Sequence, residues 1–383
     1  MKYLILVLVC LLNLNVFANT GNVEEAIKEL KSKYVPDKRV GVWDIEIQEE
    51  NGEYTVSGKV DNALYKAEIE KSLKELGVKY TADIKVLPDE SLENTWGLVS
   101  ISVACIRTHP KSGAELASQA IMGTPMKILE IVDGMARVQT PDNYIGYMTT
   151  SSFAYKSDKE FADWKESKRY IVSVYQGTLW EDKKEKMPVT DVVMGNLLEF
   201  VEKDGDYLLL ALPDGRKGYA HKSIVTEFKK WTKQSFNFDR MQKLGFRMLG
   251  TPYLWGGMST KTLDCSGFVR TLYFHNGIIM QRDASQQALK GGIVDWKNWR
   301  EEAQPGDLIF IGTKAGKVTH VAMYMGDGKY IHSSGRVKIN SMDENAEDYL
   351  DYTFLGMRRI NGYVNTDGIT AVKDHSWYLN SNQ

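Results

Sequence analysis

The sequence predicts a multi-domain chain of mixed class: a small N-terminal α+β element, two tandem β-barrels, and a C-terminal α+β domain. Three observations predict it. At 383 residues the chain exceeds what one ordinary core holds. Two stretches in its middle repeat one another at a constant offset. The last third sets a helical segment that opens on Cys265 ahead of several short apolar strands.

Composition narrows the class. Hydrophobic residues make up 43% and charged residues 26%, the balance of a globular protein. A formal net charge of −2 offers no basic excess to a polyanion, so nucleic acid is not an expected partner. Residues 1–18 read as an export signal. Lys2 supplies the positive start, Leu4 to Leu12 the apolar stretch, and Val16-Phe17-Ala18 the cleavage region, with cleavage after Ala18. That stretch is too short for a permanent anchor, and no later segment is long and apolar enough to span, so stable membrane insertion is not expected. The expected location is periplasmic or secreted, and the expected state is a monomer. Cleavage removes Cys10. Of the remaining cysteines, Cys105 lies in the apolar run Val103 to Ile106 and reads as a buried structural thiol. Pairing of Cys105 with Cys265 is the alternative for both.

The small element, 19–94, reads as a charged helix over Val23 to Tyr34 and two strands, Val40 to Gln48 and Tyr54 to Val60. These are joined by the turn Asn51-Gly52. A second helix, Ala63 to Leu76, ends at Gly77, and a strand over Tyr80 to Leu87 closes the element. No catalytic constellation is visible in it. The repeat follows. Gly123 is matched by Gly195, Pro141-Asp142 by Pro213-Asp214, and Gly146-Tyr147 by Gly218-Tyr219. Short apolar strands alternate with Gly, Asp and Pro turns in each copy, the pattern of a small β-barrel. The two copies, 95–160 and 168–230, resemble bacterial SH3-like domains. They diverge at polar positions: Tyr144 aligns with Arg216, and Glu115 sits in a loop-like stretch of the first copy alone.

The last domain, 235–360, begins with a helix over Phe238 to Leu249, stopped by Gly250 and Pro252. Cys265 then opens a helix with Phe268, Val269, Leu272 and Tyr273 on one face. Strands follow at Leu308 to Ile311, His320 to Met325 and Lys329 to Ser333, the last two joined by Gly326-Asp327-Gly328. Helix first and antiparallel sheet after is the order of a papain-like α+β core. Residues 361–383 read as a C-terminal tail.

A thiol in the first turn of a helix meets the positive end of the macrodipole, which favours the nucleophilic thiolate. His320 and His332 lie on two strands of one hairpin, with period-two faces that can bring their rings together. His320 suits a general base, and His332 suits the group that orients it. Zinc held by one cysteine and two histidines is the alternative, opposed by the lack of a close-spaced ligand pair, so neither metal nor organic cofactor is expected. His109, His221, His275 and His375 keep a structural reading. The backbone N–H of Cys265 and the hydroxyl of Tyr253 are candidate donors to an oxyanion, although Tyr253 also suits a core position. Gly256 and Gly257 suit a chain that passes close to the helix.

Thr251-Pro252-Tyr253-Leu254-Trp255-Gly256-Gly257, Asp264-Cys265-Ser266-Gly267-Phe268-Val269, and His320 to Gly328 with His332 together resemble the NlpC family of cell-wall cysteine peptidases. With two SH3-like domains ahead, the chain is similar to the subgroup of γ-D-glutamyl-L-diamino acid endopeptidases, or dipeptidyl-peptidase VI. The resemblance implies a hydrolase that cuts between D-Glu and the diamino acid of peptidoglycan stem peptides with a free N-terminal L-Ala. It also implies that the first SH3-like domain narrows the cleft. Asp264, Glu115 and Tyr144 would hold the amine, and Ser266 the substrate's polar backbone. Arg282-Asp283-Ala284-Ser285-Gln286 resembles a pocket segment in which a serine stands where this chain has Ala284, with Ser285 as its substitute. Asp283 there could equally cap a helix. Two other activities stay open: an endopeptidase or amidase acting on intact wall, and a wall-binding protein without catalysis.

Overall fold

A computed structural model describes residues 22–380, so the expected export segment at 1–18 lies outside the described residues. The chain divides into two compact units, one up to Leu92 and one from Glu93 onward. In the first unit, helix Asn22–Tyr34 precedes the antiparallel hairpin Trp43–Glu50 and Glu53–Val60. Asn51 and Gly52 turn it with φ of 52° and 78°, values that Asn and Gly adopt at least cost. Asn62 caps helix Ala63–Glu75 by accepting from the Leu64 N–H at 2.9 Å. Strand Lys79–Val86 then returns parallel to Glu53–Val60. Val23, Ile27, Val56, Ile69, Leu73 and Ile84 form this unit's own core.

The second unit opens with the two barrels, whose strands follow one another in the same order. In the first, Phe153–Lys156, Trp96–Val99, Pro125–Val132, Met135–Gln139, Ile145–Thr149, Val103–Arg107 and Leu116–Ile121 lie side by side. The second repeats that sequence of neighbours from Val225–Glu227 through Arg169–Val172 to Pro188–Val193. The repeated Gly-Tyr and Pro-Asp signals thus mark equivalent strand starts and turns. The two barrels also bond to each other. The Leu197 N–H donates to the Met122 carbonyl at 3.0 Å, and Asn196 Nδ2 donates to the Ser102 carbonyl at 3.0 Å.

Three findings depart from the sequence reading. Cys105 is half-buried, because Ala104 and Ile106 take the inward positions of its strand. Between the barrels stands a helix, Asp158–Glu166, which buries Phe161 and Trp164. Its signal was present in the sequence: Ser157 and Glu160 form a reciprocal capping box. The segment from 361 is no loose tail. Ile369–Ala371 pairs with Ile278–Met280, and Val372, Tyr378 and Leu379 bury themselves beside Phe161, Trp164, Ile171, Leu197, Phe228 and Trp231. Arg169 joins the same cluster, with one guanidinium nitrogen donating to the Lys165 and Tyr378 carbonyls at 2.8 Å each.

The C-terminal domain packs helices Phe238–Arg247 and Cys265–Phe274 against a six-stranded antiparallel sheet. Its order is Gly292–Val294, Thr353–Arg359, Leu308–Gly312, Val318–Gly326, Lys329–Ser334 and Arg336–Ser341. Phe268, Val269 and Leu272 meet Phe310, Val321, Met323 and Ile331 in the layer between helix and sheet. This is the helix-before-sheet order of a papain-like core. Because Tyr378 fills the junction among the helix linker, both barrels and this domain, Tyr378→Ala is expected to lower the unit's stability by about 3–5 kcal/mol. Denaturant unfolding measures it, and an unchanged midpoint would show the segment to be an appendage.

Candidate active site

The site is built around the start of helix Cys265–Phe274. Asp264 caps it, with Oδ1 accepting from the Gly267 N–H at 2.7 Å. Oδ2 accepts from the Gly256 N–H at 3.0 Å, which ties the preceding loop to the helix. Gly256 stands at φ 82°, and a side chain on Gly267 would collide with the Gly257 carbonyl. The glycines therefore serve close approach of loop to helix. Cys265 is left as the first helical residue and is 6% exposed. The backbone N–H of Val321 bonds its sulfur, and so does that of Ser266. The sulfur thus lies beside the sheet strand one residue from His320.

His320 lies immediately after a register irregularity. His320 pairs with Ile311 and Val318 with Gly312, so Thr319 is extra and the strand is re-aimed there. On the other side, Met323 pairs with Ile331. Continuing that register sets Ala322 opposite His332 and His320 on the diagonal, within reach of a long side chain. Nε2 of His320 and Nδ1 of His332 are 2.7 Å apart. Nε2 of His332 in turn lies 2.9 Å from Oδ1 of Asn340, whose Nδ2 donates to the Asp348 carbonyl at 2.6 Å. The Tyr352 ring stands 6.1 Å and 6.2 Å from the two imidazoles.

Burial governs the charges. It pushes the Cys265 thiol up to about 11, and neighbouring Asp264 adds to the rise. The Val321 N–H and Arg282 oppose it without reversing it. This runs against the expectation that the helix start favours thiolate, because burial and Asp264 both disfavour the charged form. Burial also pushes His320 down to about 3 and His332 down to about 4. The resting pair is therefore thiol and neutral imidazole. The Tyr253 hydroxyl is driven above its ordinary range by burial and by Cys265 and Asp264 nearby, so it remains a proton donor.

On the substrate side, Asp264 is more heavily engaged than its position beside Cys265 suggests. Beyond the two backbone donors it accepts from Ser266 Oγ at 3.2 Å and from both terminal nitrogens of Arg282, one at 3.1 Å. Arg282 is 1% exposed and also donates to Ser266 Oγ at 2.8 Å and to Ser118 Oγ of the first barrel at 3.0 Å. Ser266 is thus turned into this cluster. Tyr144, 6% exposed, lies close enough to act on the Arg282 charge. Glu115 stands exposed at the barrel's edge, with no ion-pair partner among the described residues. Its neighbour Leu116 presses on the loop: a Cβ on Gly256 would stand 2.6 Å from the Leu116 carbonyl. Gln119 Oε1 accepts from the Met258 N–H at 2.9 Å. Asp283 forms a capping box with Gln286 on the helix Ala284–Gln287, and Ser285 is half-buried beside the buried Ala284.

Sequence reasoning passed over Arg282 and Asn340. Arg282 stood next to the noted Asp283 but gave no sign of being buried. Asn340 belongs to a strand, Arg336–Ser341, that the hydropathy pattern did not reveal.

A thiol lifted to about 11 sets the pH dependence of modification. The unfolded thiol ionises near 9, whereas the folded one is deprotonated only at higher pH. Alkylation of Cys265 by iodoacetamide should therefore keep rising with pH beyond the range where a free cysteine levels off. A plateau below neutral pH would instead reveal a preformed thiolate–imidazolium pair.

Comparison with known proteins agrees with this geometry. A model of the NlpC/P60 family matches residues 250–359, and one described as bacterial dipeptidyl-peptidase Sh3 domain matches residues 106–153. The chain is 30% identical over 257 residues to a gamma-D-glutamyl-L-lysine dipeptidyl-peptidase of Bacillus cereus, covering 64% of this chain and 75% of that protein. It is 26% identical over 258 residues to dipeptidyl-peptidase 6 of Lysinibacillus sphaericus, covering 64% and 92% respectively. The crystal structure of an NlpC/P60 family protein from Bacillus cereus superposes with a TM-score of 0.60 at 26% identity, covering 69% of this chain and 99% of that one. A buried cysteine at a helix start, a sheet histidine beside it, and two SH3-like barrels ahead therefore meet in a chain that belongs to the NlpC/P60 family of cysteine peptidases.

Proposed function

We propose that this peptidase hydrolyses the bond between γ-D-Glu and the diamino acid of peptidoglycan-derived peptides carrying a free N-terminal L-Ala. What supports this reading above all is the docking of the first barrel on the catalytic loop through Leu116, Gln119 and Ser118. In this reading the wall limits that side of Cys265 to the short end of a peptide. The names of the two Bacillus cereus and Lysinibacillus sphaericus relatives point the same way. With the export segment expected at 1–18, the place of action is the periplasm or the exterior.

The reaction follows from the groups present. His320 takes the proton from Cys265 as the sulfur attacks the γ-carbonyl carbon of D-Glu, forming the C–S bond. The oxyanion is met by the Tyr253 hydroxyl and the N–H of Cys265. His320 returns the proton to the leaving amine as the C–N bond breaks. Water, deprotonated by His320, then cleaves the thioester and restores the thiol. Glu115, exposed next to the Leu116 that meets the loop, supplies the negative charge for the L-Ala ammonium, with the Tyr144 hydroxyl as a second ligand. Asp264 acts from behind, since its oxygens already hold the helix start and Arg282.

Product analysis with tri- and tetrapeptide stems tests the reading. The expected outcome is release of L-Ala-γ-D-Glu, with no turnover by Cys265→Ala. Acetylation of the L-Ala amine should abolish cleavage. Equal cleavage of acetylated peptide, or of intact sacculi, would assign the enzyme to wall degradation instead. Glu115→Gln should raise KM about tenfold with kcat little changed, the loss of one charge-assisted hydrogen bond.

A further inference from the structure

The chain of hydrogen bonds behind His320 has one consistent assignment of protons, and it starts at a residue outside the catalytic trio. The Asp348 carbonyl can only accept, so the Asn340 group 2.6 Å from it is the NH₂. Asn340 therefore turns its carbonyl oxygen to Nε2 of His332, 2.9 Å away, and that nitrogen must carry the proton. A neutral His332 then has its lone pair on Nδ1. The Nε2 of His320 at 2.7 Å must donate to it. What remains on His320 is an unprotonated Nδ1, the form a general base requires.

The geometry points to Asn340 as a positioning residue that fixes the base tautomer of His320 through His332. Asn340 is 7% exposed and His332 is wholly buried, so water does not compete for these bonds. Either reversal disables the base. A proton on Nδ1 of His332 would force Nε2 of His320 to accept, moving the remaining proton to the nitrogen that must take one from Cys265. Loss of the Asn340 acceptor frees His332 to adopt that second tautomer. The Asp348 carbonyl is the anchor, and Asp348 is itself held by a two-oxygen contact with Lys329 at 2.8 Å and 3.0 Å. The inference rests on His320 as the base, and its test has a readout that needs no substrate.

Nitrogen-15 NMR of the full chain, with His320 assigned by His320→Gln, reads the tautomer directly. The expected result is a pyridine-type Nδ1 and a protonated Nε2 on His320. A protonated Nδ1 overturns the proposal whatever the enzyme cleaves. Two variants separate positioning from tethering, because both lose the bond from Asn340 to the Asp348 carbonyl. Asn340→Asp keeps an acceptor for His332 and Asn340→Leu does not. Assayed on L-Ala-γ-D-Glu-L-Lys well above the ordinary imidazole pKa, Asn340→Leu should lose about 10²-fold in kcat with KM unchanged. Asn340→Asp should keep activity within about tenfold of the parent chain. Equal losses in the two would reduce Asn340 to a structural tether and overturn the proposal.

Discussion

The buried pair of Asp264 and Arg282 is the interaction on which the site depends. One carboxylate caps the nucleophile helix, ties down the Gly256 turn and receives a guanidinium that reaches across to Ser118 of the first barrel. Helix start, catalytic loop and barrel wall are thereby fixed by one group. Burial opposes the Arg282 charge, but this partner drives it above its ordinary range, so the guanidinium stays charged. A pair this deep gains little net stability over apolar packing, but removing one member of such a pair costs about 3–5 kcal/mol. Its value here is geometric: it sets where Cys265 stands relative to the first barrel.

The same dryness that makes this pair strong keeps the reacting groups neutral at rest. Burial raises the thiol and lowers both imidazoles, so the charged form of each is disfavoured at rest. The N–H groups of Val321 and Ser266 bond the sulfur, and the Tyr253 hydroxyl near it stays protonated. A preorganised, water-excluded site gives such donors more effect than they would have in solvent.

The C-terminal segment acts on a larger scale. Tyr378, Leu379 and Val372 lie in one cluster with residues of the linker helix, the second barrel and the catalytic domain. His375 adds a bond to the Pro141 carbonyl of the first barrel at 2.9 Å. Arg270 of the nucleophile helix pairs with Asp142 of the same barrel turn at 3.1 Å. The Pro141-Asp142 turn of the first barrel is thus bonded both to the C-terminal segment and to the Cys265 helix.

Much of this protein was legible in its sequence because the signals are local. A glycine-rich loop, an Asp-Cys helix start, two histidines on hairpin strands and a repeated turn pattern each fix backbone within a few residues, and all of these appear in the fold. The helix Asp158–Glu166 was equally local and marked by its capping box. What sequence could not supply were relations between distant segments. That Arg282 pairs with Asp264, that Asn340 stands behind His332, and that residues 369–379 return to the core depend on which surfaces meet. Such meetings are decided by burial and by satisfying polar groups without water, and neither is written in any one stretch of chain. Local chemistry pointed to Cys265 and the two histidines; only tertiary packing decided how deeply they are buried and which groups they meet.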